Sequence, residues 1–94
     1  MLYKNESDEL KKSSWPRCDE LASRLGQKGL NAADALEEAA KSRTHHVRSA
    51  SLRSLNNLSA ERGKTLALKL LEDRAYEVRE TAAKILGVPV PESK

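Results

Sequence analysis

The 94-residue chain has no phenylalanine, one cysteine, one tryptophan, two tyrosines and a single isoleucine. One cysteine excludes a disulfide framework and a cysteine-based zinc site. Four valines and one isoleucine, against 14 leucines and 12 alanines, leave too few β-branched residues for an all-β fold. No apolar run approaches the ~18 residues of a membrane span. The opening MLYKNESDELKK lacks the basic-then-apolar order of a secretory leader, so a cytoplasmic protein is expected. Glycine-rich phosphate loops and Ser-His-Asp orderings are also missing. Adjacent carboxylates such as Asp19-Glu20 and Glu37-Glu38 read as solvated faces rather than acid/base pairs. The chain is therefore expected to be neither an enzyme nor a cofactor binder.

What is present is an internal repeat. Sliding the chain by 31 residues lays Arg43-Thr-His-His-Val47-Arg48 on Arg74-Ala-Tyr-Glu-Val78-Arg79. The same slide lays Leu55 on Leu86, and Ala35, Leu36, Ala39 and Ala40 on Leu66, Ala67, Leu70 and Leu71. A backward slide lays Trp15-Pro16-Arg17 on His46-Val47-Arg48, after which the first copy degrades. Each unit reads as two helices. Val47, Ala50, Ser51, Ser54, Leu55 and Leu58 share one helical face, and Val78, Thr81, Ala82, Ile85 and Leu86 share its equivalent. Leu52 and Leu68 lie off these stripes, as stacked pairs that touch a neighbour on a second side require.

Punctuation places the helices near 15–25, 31–42, 45–57, 60–73 and 75–86, with a further weak helix over 5–12 held only by Leu10. Ser14 and Asn31 are expected N-caps, Ser59 opens the fourth helix, and Gly87 closes the last. The expected class is all-α: a short α-solenoid of stacked antiparallel helix pairs, about five helices. Residues 1–14 read as an N-terminal extension, 15–87 as the repeat domain and 88–94 as an extended or disordered tail.

The second helix Tyr76-Glu-Val78-Arg79-Glu-Thr-Ala82-Ala83-Lys-Ile85-Leu86-Gly87 resembles the HEAT-like repeats of the phycobilisome-lyase type. The copy at His46–Asn56 departs from it, with asparagine in place of the usual glycine. The resemblance covers residues 31–87 well and 15–26 weakly. It implies an α-solenoid that binds proteins along its surface, and it does not imply lyase chemistry.

Candidate functional residues follow from the repeat. Arg17, Arg48 and Arg79 recur once per unit. They read as a structural ladder, with Glu38, Glu72 or Asp73 as partners, or as a basic ridge for acidic groups. Arg53 and Lys84 are equivalent positions further along. His46 and Tyr76 sit at helix starts, and Trp15 either staples the N-terminal segment or stands free as a binding anchor. The partner-binding set is thus Arg48, Arg53, Arg79, Lys84, Tyr76, His46 and Trp15.

The net charge of +3 lies wholly in residues 44–94, which favours an acidic protein partner. Nucleic-acid binding through the same basic rows is the alternative, weakened by the shortage of stacking aromatics. His45 and His46 are neighbours rather than an i, i+4 pair and have no carboxylate a turn away, so no metal site is expected. Cys18 lacks a base and is not expected to react. About two and a half units fall short of the usual three, so one end is expected to be covered by a second copy or a partner.

Overall fold

Leucine and alanine at helical spacing build six α-helices among residues 1–92, which the computed structural model describes. These are α1 (Lys4–Lys12), α2 (Arg17–Gly26), α3 (Ala33–Ala39), α4 (His45–Leu58), α5 (Ala60–Leu70) and α6 (Tyr76–Leu86). The fold is all-α. Three successive helix pairs stack so that α2, α4 and α6 form one row, with α4 packed against both its neighbours. The first helices α1 and α3 pack beside each other in a second row, which α5 extends through Arg62. No described helix is long and apolar enough to cross a membrane.

Several boundaries differ from expectation. The expected weak N-terminal helix forms as α1 and packs against α3 and α2, with Ser7 and Leu10 fully buried. Ser14 does not cap α2 with its side chain; its carbonyl instead accepts from Cys18 N–H, and Pro16 occupies the cap position. Asn31 does not cap α3. Gly29, at φ +90°, turns the chain into a 3-10 helix over Leu30–Ala32 that takes up Asn31 and delays α3. The α5 helix stops at Leu70 rather than 73. Ser59 caps α5 as expected, its Oγ accepting from Arg62 N–H at 3.2 Å. Gly87, at φ +70°, closes α6 in the left-handed conformation that suits glycine. Residues 88–92 carry no regular secondary structure; the rest of the expected tail, 93 and 94, lies outside the described residues.

The apolar stripes meet in two clusters. Leu10, Leu21, Leu25, Leu36, Val47 and Leu55 join the alanines of α3 in the larger one. Leu52 joins Ala67 and Ala82 in the smaller, which explains why it lies off the main stripe of α4. Each fully buried leucine contributes roughly 1.5–3 kcal/mol. Leu68 departs from its expected inward place and is exposed. At the C-terminal end Leu70, Leu71, Ile85 and Leu86 are half-buried and Val88 is exposed.

Polar atoms tie successive units together at close to one repeat. Ser7 Oγ donates to the Ala35 carbonyl at 2.8 Å and Ser54 Oγ to the Ala22 carbonyl at 2.8 Å. The Ser49 and Thr81 hydroxyls bond each other at 2.7 Å. Small hydroxyl residues let the helices approach closely while keeping buried oxygens satisfied. Ser51 is the exception: its Oγ is buried with no hydrogen-bond partner among the described residues. Ser51→Ala is expected to raise the free energy of unfolding by about 0.5–1.5 kcal/mol, by removing the buried hydroxyl and improving helix propensity. Urea denaturation checks this.

Candidate functional site

The repeated arginines take unequal places. Arg48 lies inside the stack, its side chain and that of Asp73 each only 9% exposed. Its Nε and Nη2 donate to the two Asp73 oxygens, both at 2.8 Å. Its Nη1 donates to the carbonyls of Ser42 and Arg43. Arg79 repeats this one unit on, Nη1 donating to the Asp73 carbonyl at 2.8 Å and Nε to the Pro91 carbonyl at 3.1 Å. Arg17, where the repeat is worn, is exposed and pairs with Glu9 at 3.1 Å. Arg48 and Arg79 are both buried, with every Arg48 guanidinium nitrogen and the Arg79 Nε and Nη1 bonded to loop carbonyls or Asp73, which favours the ladder reading at these two positions.

Asp73 also accepts from Ala75 N–H at 2.9 Å, as Ser42 Oγ does from Thr44 N–H one repeat earlier. Burial alone would push the Asp73 carboxyl up. The bonds from Arg48 and from Ala75 N–H outweigh it and hold the group below its ordinary range.

The starts of the second helices are built differently. Trp15, His46 and Glu77 are spaced one repeat apart and line up along one edge of the row. The Trp15 and His46 ring centroids are 6.1 Å apart and tilted. His46 Nδ1–H donates to the Glu77 carboxylate at 2.9 Å. The His45 ring lies 4.1 Å from that of His46. Tyr76 follows at the same edge, with the Arg79 guanidinium 5.8 Å from its ring centroid. Trp15 is 61% and Tyr76 58% exposed. Trp15 thus stands exposed rather than buried as a staple, with the tilted His46 ring beside it.

Of the remaining expected residues, Arg53 and Lys84 are exposed. Arg53 is not a free cation, since Nη2 pairs with Asp19 at 2.9 Å and Nη1 donates to Ser49 Oγ. It lies in a shallow groove of about 500 Å³ between α2 and α4, lined also by Ser23, Gln27 and Asn57. Cys18 is fully buried; burial pushes its thiol up and Asp19 adds to the shift, which fits an unreactive group.

Glu77 was not among the expected site residues. The 31-residue slide that sets His46 on Trp15 sets Glu77 on His46, so the signal lay in the repeat rather than in local spacing. No family model, no curated protein and no solved structure significantly matches the chain.

Proposed function

We propose that the chain is a non-catalytic protein-interaction module of HEAT-like repeats that grips its partner with the edge formed by the second-helix starts. The observation that carries this reading is the exposure of Trp15, the sole tryptophan, and of Tyr76, both at starts of helices in the same row. Exposed aromatics give large contact area at low entropic cost and dominate interface energetics. Here each ring already has a polar neighbour from the fold, His46 tilted against Trp15 and the Arg79 guanidinium over Tyr76. Little ordering remains to be done on binding, which favours affinity.

Charge has a smaller part than the composition implies. With Arg48 and Arg79 turned inward and Arg53 shared with Asp19, Lys84 is the basic position of that set with most freedom to meet an acidic group. Charge then steers encounter more than it sets affinity.

Affinity capture tests this reading. Wild-type chain, Trp15→Ala/Tyr76→Ala and Arg53→Ala/Lys84→Ala are used as baits in parallel. Loss of about 2 kcal/mol or more at an aromatic hot spot corresponds to at least a roughly 30-fold weaker complex. A protein captured by wild type is expected to be lost from the first variant and retained by the second. The reverse pattern, or capture of nucleic acid that is lost steeply with added salt, overturns the proposal.

A further inference from the structure

The same helix starts gather a second kind of chemistry. His45, His46 and Glu77 each place one donor atom within 4.8 Å of the other two. We propose that these three side chains bind a late first-row divalent ion, Zn(II), Ni(II) or Cu(II). This inference stands apart from the partner-binding reading, because it concerns the isolated chain.

The donor set decides the class of ion. Two imidazoles and one carboxylate suit borderline metals such as zinc, nickel and copper, whereas magnesium and calcium demand oxygen ligands throughout. Ligands of one such ion, each about 2.0–2.2 Å from it, lie roughly 3–3.5 Å apart. Closing the cluster to that spacing takes small rotations of side chains that are exposed or half-exposed. His46 Nδ1 and a Glu77 carboxylate oxygen already lie 2.9 Å apart, close to the spacing of two ligands of one ion, so a bound metal would take the place between them.

Adjacent residues on a helix point about 100° apart, which argues against a pair of neighbouring histidine ligands. His45 is the first residue of α4, though, and the two rings still lie only 4.1 Å apart at centroid. The third donor comes from the start of α6, one repeat away, rather than from the next turn of α4. The positive end of a helix disfavours a bound cation, and the Glu77 charge offsets it. An ion held here joins α4 to α6 and so should stabilise the folded stack in proportion to its occupancy.

The tryptophan supplies the readout. Trp15 is unique in the chain and its ring lies 6.1 Å from that of His46, within reach of quenching by an open-shell ion. The purified 94-residue chain is titrated at neutral pH with Ni(II) or Cu(II). Fluorescence should fall to a saturable one-to-one end point and recover on adding a chelator. Zn(II) should compete without quenching, and Mg(II) should do neither. His45→Ala and Glu77→Gln should each raise the half-saturation concentration by about 10-fold or more. His45 is exposed, so its variant keeps the fold, checked by an unchanged helical circular dichroism spectrum and Tm; it decides the matter even if Glu77→Gln melts early. Quenching that never saturates, that Zn(II) does not displace, or that is unchanged in His45→Ala overturns the site.

Discussion

Arg48→Ala is expected to remove about 3–5 kcal/mol of folding stability, the cost of leaving a buried ion pair half-made. The loss has two parts. Asp73 keeps its charge at a site that is 9% exposed, and two loop carbonyls lose their donor. A chain of this length has roughly 5–14 kcal/mol in all, so the variant is marginal and its Tm falls by at least about 12 °C. Arg17→Ala is the internal control. It occupies the same place in the repeat, but its pair with Glu9 is exposed, so it should change stability by no more than about 0.5 kcal/mol. Chemical denaturation of the two variants, side by side, measures the difference.

The pH dependence of that difference has a definite sign. Asp73 is depressed in the folded protein, against an unfolded value of about 3.9. Its contribution is therefore complete above about pH 4 and is lost as pH falls through the lower folded value. Removing Arg48 removes the first of the groups that hold it down and leaves burial to push it up. The gap between wild type and Arg48→Ala should be full at neutral pH and close as acid protonates Asp73.

Gly63→Ala is expected to destabilise by about 1–3 kcal/mol, although alanine is the better helix former by about 1 kcal/mol. Gly63 lies in α5 where that helix crosses α4. A Cβ there would come within 2.6 Å of the Asn56 Cα and 2.5 Å of its Oδ1. A backbone atom cannot swing aside, so α5 would have to retreat from α4 and loosen Ala67 against Leu52. Lys64→Ala, next along the helix and exposed, should stay within about 0.5 kcal/mol of wild type. Matched thermal melts distinguish close approach from propensity: a Gly63→Ala chain as stable as wild type contradicts the crossing described.

Residue pattern alone was enough to see the repeat, because Val47 and Val78 and the Leu/Ala stripes must face inward wherever helix pairs stack. It was also enough to give Leu52 a second neighbour. It could not place α1 within the stack. That helix is held by Leu10 and by the Ser7 hydroxyl on the Ala35 carbonyl, and hydrophobic periodicity gives a serine no weight. Nor could it choose among Glu38, Glu72 and Asp73 as partner for Arg48, since the choice depends on how the loop after α5 folds back. Helix ends moved where backbone groups bonded in place of the expected side-chain caps, at Ser14 and Asn31. The pairing of His46 with Glu77 spans one full repeat, so neighbour rules built on i, i+4 spacing pass over it. Arg48 and Arg79 turn inward for a related reason: repetition marks a position as needed by every unit, and inside a stack that need is often internal.

The division between arginines turned inward and aromatics turned outward is tested most directly by acrylamide quenching of Trp15 in the native chain. With one tryptophan, the signal reports a single residue. Trp15 at 61% exposure predicts a quenching slope close to that of the urea-unfolded chain. A slope near that of a fully buried tryptophan, in dilute native protein, would contradict the exposed edge and the binding role built on it.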